Sequence, residues 1–255
     1  LFLASSGLRN ALLSPEQITN QVLFSGLVTV LLFGGIPLVQ AKWHRVPPSD
    51  ALAIRPVAVS MFAGAALLGI SLWPMAYEAL VFVQSSSSLV SMAEKYQDIA
   101  ARIAQTPLWL RITGLAVLPA VCEEIFFRGM LLGGLLSNNH SRTRAVVIST
   151  TLFAAMHVVI DQSLYPQRFV TTFLLGLALA LIRVRTGSIL PGILLHCLNN
   201  SLLLSLERME PVLRLLGLDQ NNASHLPAWF LLTSLAVAVV GALVIAFAGK
   251  PRGGA

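Results

Sequence analysis

Apolar runs close to twenty residues long recur along this chain, at 20–40, 57–83, 108–136, 145–160, 169–182, 189–206 and 228–248. A helix rises about 1.5 Å per residue, so roughly twenty apolar residues cross the hydrocarbon core of a bilayer. Lipid offers the backbone no water, and each helix must satisfy its own N–H and C=O groups. The expected fold is therefore all-α: a polytopic transmembrane helix bundle of about seven spans. The runs at 145–160 and 169–182 are short for such a role.

Charge supports the same class. Only 11% of the residues are charged, while 56% are hydrophobic; soluble domains carry about 25% charged residues. The net charge of +6 does not form a phosphate-binding face. Its basic residues are dispersed between apolar runs, the pattern of topology control, so nucleic acid is not an expected partner. Lys42, Arg45 and Arg55, then Arg142 and Arg144, then Arg183 and Arg185, then Lys250 and Arg252 all fall on one side of a seven-span chain. The other side mixes acids with bases. The C-terminus is thus expected in the cytoplasm and Leu1 outside. Between the second and third runs, Leu89, Met92, Tyr96, Ile99 and Ile103 recur every three or four positions. That spacing predicts one interfacial amphipathic helix. Cys122 and Cys197 lie within apolar runs and read as small core residues. The chain starts at Leu1 without a basic leader, which reads as a piece of a longer polypeptide.

Against this background "CEEIFFRG", residues 122–129, is out of place. A charge at mid-bilayer costs at least about 2.5–3.5 kcal/mol, so such residues default to a functional reading. Glu124 and Arg128 are four apart on one helix face and can form an ion pair. Glu123, about 100° round the helix, faces elsewhere. Two further polar groups lie inside spans: His157 in "FAAMH" and His196 with Asn200 in "HCLNN". Each alone has a duller reading, as a structural salt bridge or as polar glue between helices. Together they place two carboxylates, two imidazoles and an amide on three helices. Packing does not need so much desolvated charge.

The set suits water attack on a peptide bond. A buried carboxylate can act as general base, an imidazole can share or pass on the proton, and an imidazole and an amide can donate to an oxyanion. No Ser–His–Asp set or Gly-x-Ser-x-Gly elbow offers an alternative. Two histidines and a carboxylate also make a zinc set with an open position for water. Its ligands would be Glu123, His157 and His196. The favoured reading needs no metal, and a divalent ion such as zinc stays open.

The three motifs, Glu-Glu-x-x-x-Arg (Glu123, Glu124, Arg128), Phe-x-x-x-His (Phe153, His157) and His-x-x-x-Asn (His196, Asn200), resemble in order those of the CAAX prenyl protease and bacteriocin-processing (Abi, CPBP) family of intramembrane proteases. The resemblance covers about 108–206. It implies a catalytic core there, with 1–107 as N-terminal spans and surface helix and 207–255 as a loop and last span. It further implies that Glu123 activates water, that Glu124 assists while tied to Arg128, that His157 shares in activation, and that His196 and Asn200 form the oxyanion site. An intramembrane endopeptidase of a bacterial cytoplasmic membrane follows, acting on a membrane-associated protein or peptide, prenylated or bacteriocin-like. Competing readings are a non-catalytic permease-associated, scaffold or immunity module and a proton-coupled transporter. The intact Glu/His/Asn set and the lack of inverted repeats weigh against both.

Overall fold

The computed structural model describes residues 15–84, 106–138, 140–160, 166–205 and 225–248. The described residues are helical, and they contain no strand. Helix α1 is one rod built from Pro15–Thr29, Val30–Gly35 and Ile36–Trp43. A short turn, Pro48–Ala51, leads to α2, Val59–Ser71, and α3, Trp73–Gln84. Helix α4 is a second rod: Leu108–Arg111, Ile112–Val117, Leu118–Glu124, Ile125–Leu131 and Leu132–Ser137. Then follow α5, Arg142–Ile160, α6, Pro166–Thr186, α7, Leu190–Ser205, and α8, Ala228–Phe247.

Four of these stretches are long and apolar enough to cross a membrane: Glu16–Trp43, Val59–Glu78, Arg168–Thr186 and Ala228–Phe247. Seven were expected. Helix α7, apolar but only Leu190–Ser205, is shorter. Helix α4 has the length, yet Arg111, Glu123, Glu124 and Arg128 interrupt it with charge. The expected amphipathic helix lies largely outside the described residues.

Both rods widen to π pitch where proline follows. Val30–Gly35 precedes Pro37 and Ile112–Val117 precedes Pro119. A proline ring lacks the N–H and presses on the carbonyl four residues back, and a local i→i+5 turn accommodates it. Pro74 acts more sharply: the expected second span breaks at Leu72, between α2 and α3. The third π segment, Ile125–Leu131, has no proline. There the Phe127 carbonyl accepts both the Leu132 N–H and the buried Ser149 hydroxyl at 3.0 Å.

Helix α2 packs between α7 and α8, and α5 runs along α6. Small residues allow the approach: a Cβ on Gly64 would lie 2.7 Å from the Gly241 carbonyl, and one on Gly69 2.9 Å from that of Leu195. Such backbone-to-backbone contact is how helices associate without a hydrophobic drive between them. The main core joins Ala65, Leu68, Leu179, Leu195, Ala238 and Ile245.

Basic loops gather at one end of the bundle. Ser188 Oγ donates to Arg55 O at 2.7 Å, Ile189 N–H to Ala53 O at 3.1 Å, and Arg185 Nη2 to Ala246 O and Ala248 O at 2.5 and 3.1 Å. At the opposite end Glu78 pairs with His225 at 2.7 Å, beside Trp73, Leu226 and Phe230.

Candidate active site

The three motifs converge. Glu124 and Arg128 are both fully buried, and their Oε1–Nη1 separation is 2.7 Å. Arg128 is held on two further sides: Nη2 donates to Gly176 O on α6 at 3.0 Å, and the guanidinium lies 4.2 Å from the Phe153 ring centre. Gly176 is required for this approach, because a Cβ there would stand 2.9 Å from Phe153 Cδ1 and 3.3 Å from Arg128 Nη2. The other Glu124 oxygen, Oε2, is buried without a hydrogen bond and lies where a Gly192 Cβ would come within 3.1 Å.

Glu123 turns the other way, into the wall of a cavity of about 440 Å³. Its Oε2 is 3.8 Å from His157 Nε2 and 4.0 Å from His196 Nε2. His157 sits one turn after Phe153, and its Nδ1 is 2.9 Å from the Phe153 carbonyl. A carbonyl only accepts, so Nδ1 carries the proton and the neutral ring presents Nε2 to the carboxylate as an acceptor. His196 lies between both acids, with Nδ1 3.4 Å from Glu124 Oε1, outside hydrogen-bonding geometry. Asn200, one turn on, lines the same cavity. Phe153 is the common floor: its ring packs edge-on against His157 and His196 at 4.5 and 5.9 Å.

Separations of 3.8 and 4.0 Å are too long for direct hydrogen bonds. For zinc, bonds of about 2.0–2.1 Å set a tetrahedral edge near 3.3 Å. The expected set, Glu123, His157 and His196, is wider than that at both separations on the page. Among the described residues no group of three His, Cys, Asp or Glu side chains is arranged to hold a metal ion.

Cys122 packs with Phe33, Phe127 and Phe153, and Cys197 Sγ faces the Val117 carbonyl at 4.0 Å. Neither lines the cavity. Among the cavity residues that sequence reasoning missed are Ser25 and Thr29 on α1, Arg168, Thr171 and Thr172 on α6, and Asn199 on α7. Asn199 was within reach, because positions 196, 199 and 200 share a helix face.

Residues 105–202 match the family model described as Rce1-like type II CAAX prenyl endopeptidase. This segment is thus similar to the CAAX prenyl protease family. No curated protein and no solved structure gives a significant match. The segment spans α4 to most of α7, the helices that carry Glu123, Arg128, His157 and His196, and the family implies a protease. Its boundaries nearly coincide with the stretch, 108–206, on which the motifs were read. The four long apolar helices mark the chain as an integral membrane protein.

Proposed function

We propose that the chain is an intramembrane endopeptidase that hydrolyses a peptide bond of a membrane-associated protein with a water activated by Glu123. The observation that carries this reading is the convergence of one cavity-facing carboxylate with two imidazole nitrogens at 3.8 and 4.0 Å. A water between them donates one proton to Glu123 Oε2 as its oxygen attacks the scissile carbonyl carbon. The imidazole of His157, fixed through Nδ1–H on Phe153 O, shares that proton through Nε2 and passes it to the leaving amine. The developing oxyanion accepts from the Asn200 carboxamide. His196 donates there through Nε2–H. Collapse of the tetrahedral intermediate breaks the C–N bond and leaves a carboxylic acid, which retains the second water proton, and an amine; transfer of that proton between them gives carboxylate and ammonium.

Leu72, Leu115, Leu175 and Leu203 make the cavity walls largely apolar. Such walls suit a substrate with a hydrophobic anchor, which a prenylated or bacteriocin-like protein has. The basic clusters at one end of the bundle support a cytoplasmic C-terminus. The test is cleavage of an anchored fluorogenic peptide in liposomes. Glu123→Gln and His157→Ala should each slow it by about 10²–10⁴-fold, the range of general acid–base catalysis, with the fold retained. Equal rates in wild type and Glu123→Gln would remove the carboxylate from the mechanism. A scaffold or permease-associated protein would cleave nothing in any form.

A further inference from the structure

Helix α1 lies outside the matched segment, yet it builds part of the cavity wall with Ser25 and Thr29, four apart on one face. Thr29 is only 3% exposed and makes no hydrogen bond to another described residue. Thr150 Oγ1 is likewise buried without a partner among the described residues, but it does not line the cavity. Thr113, Thr172, Thr186 and Thr233 each donate to the carbonyl four residues back, the usual refuge of a hydroxyl in a helix. Across the bundle, Asn199 on α7 is 6% exposed, lines the same cavity and is equally without a partner among the described residues. It is not part of the His-x-x-x-Asn motif. Neither Thr29 nor Asn199 contributes to the polar atoms sealed away without a partner, so the Thr29 hydroxyl and the Asn199 carboxamide open to the cavity.

We infer that Thr29 and Asn199 are docking groups for the main chain of a substrate peptide held unwound beside Glu123. The chemistry demands such groups. A helical peptide keeps its carbonyls engaged, so attack on one requires local unwinding. In apolar surroundings unwinding orphans several N–H and C=O groups at once. Apolar walls cannot replace those bonds. A carboxamide offers both a donor and acceptors, the complement of a peptide unit, and a hydroxyl offers either. An acyl chain would use neither group, so the ligand class is extended peptide backbone. This inference rests on the hydrolase reading above.

The test uses the full chain in liposomes and an internally quenched peptide with an apolar anchoring segment ahead of the cleavable region. The near-isosteric variants Thr29→Val and Asn199→Leu should each raise KM about five- to tenfold, the value of one lost hydrogen bond, with kcat within twofold. Thr29→Ser should restore KM. Replacing the peptide links that flank the cleaved bond by esters, one at a time, should give a probe on which Thr29→Val and wild type have the same KM. A KM within twofold of wild type in both variants, or a loss confined to kcat, overturns the inference. Binding of the same labelled peptide to the Glu123→Gln protein separates the two readings. There Thr29→Val should weaken Kd by the same factor, whether or not wild type cleaves the probe. An unchanged Kd refutes docking, whereas absence of cleavage by wild type refutes only the hydrolase.

Discussion

Substituting Arg128 by methionine tests whether the second glutamate is structural. Arg128 and Glu124 are completely buried, 2.7 Å apart. Removing one member of such a pair strands the other charge, at about 3–5 kcal/mol. The lost hydrogen bond to Gly176 O and the lost contact with the Phe153 ring act on the same side chain and are not additive with it. A net loss near 4 kcal/mol is expected, partly relieved because Glu124 can take a proton. For a chain of this length that corresponds to a fall of roughly 10 °C in thermal midpoint. The informative comparison is the double variant Arg128→Met, Glu124→Leu. An apolar pair of similar volume is often neutral or stabilising relative to a buried ion pair, so most of the stability should return. Activity should not, because His196 Nδ1 loses the carboxylate 3.4 Å away. Thermal unfolding in detergent, with cleavage measured on the same samples, reads both quantities. A loss under about 1 kcal/mol in the single variant, against the 3–5 expected, would refute the scaffold role. So would a double variant no more stable than the single one.

Three further outcomes follow from the geometry. Gly176→Ala should destabilise by about 1–3 kcal/mol through overpacking, since its Cβ meets Phe153 and Arg128 at 2.9 and 3.3 Å; activity unchanged in a stable Gly176→Ala protein contradicts the packing described. Prolonged treatment with a strong chelator should leave the cleavage rate unaltered, and a loss restored by added zinc would show that the site closes around a metal. In a protein with Cys122 and Cys197 replaced by serine, single cysteines at Ser49 and His225, both exposed, should label from opposite sides. In right-side-out vesicles an impermeant maleimide should reach the His225→Cys site and not the Ser49→Cys site; equal or reversed labelling refutes the orientation.

Much of the site could be read because its polar residues violate the rule for lipid. Glu124 and Arg128 at i and i+4, and the opposite heading of Glu123, follow from helix geometry alone, and the structure places both accordingly. Convergence of three separate helices on His157 and His196 could be argued only from the cost of leaving each group alone. What escaped notice obeys local rules. Thr29 is one hydroxyl in an apolar run, where threonine usually bonds its own helix. Arg168 starts a span, where a cation ordinarily marks the water boundary. The π segments needed the pairing of Pro37 and Pro119 with continuous apolar flanks, which periodicity does not separate from an ordinary kink. The charge that marked α4 as a candidate site also kept it from the group of plain apolar spans.

The adjacency of the two glutamates has a physical logic. Carboxylates at i and i+4 would share a face and a cavity, and two like charges there would oppose ionisation of both. Successive residues differ by about 100°, so one helix turn sends Glu123 to the cavity and Glu124 to the core. Glu124, fully enclosed, needs a permanent counter-charge, and Arg128 one turn later supplies it within the same helix, before any tertiary contact forms. His196 then touches both environments, 3.4 Å from Glu124 and 4.0 Å from Glu123. The ion pair therefore fixes the backbone that aims Glu123 and at the same time sets a carboxylate beside the imidazole that shares its cavity. On this account Glu124→Gln, which keeps a hydrogen bond to Arg128 but removes the charge facing Nδ1, should disturb His196 more than it disturbs Glu123. The imidazole resonances of His196 should shift in that variant while those of His157, anchored on the Phe153 carbonyl, stay in place. Equal shifts in both rings would mean that the two carboxylates act as one unit after all.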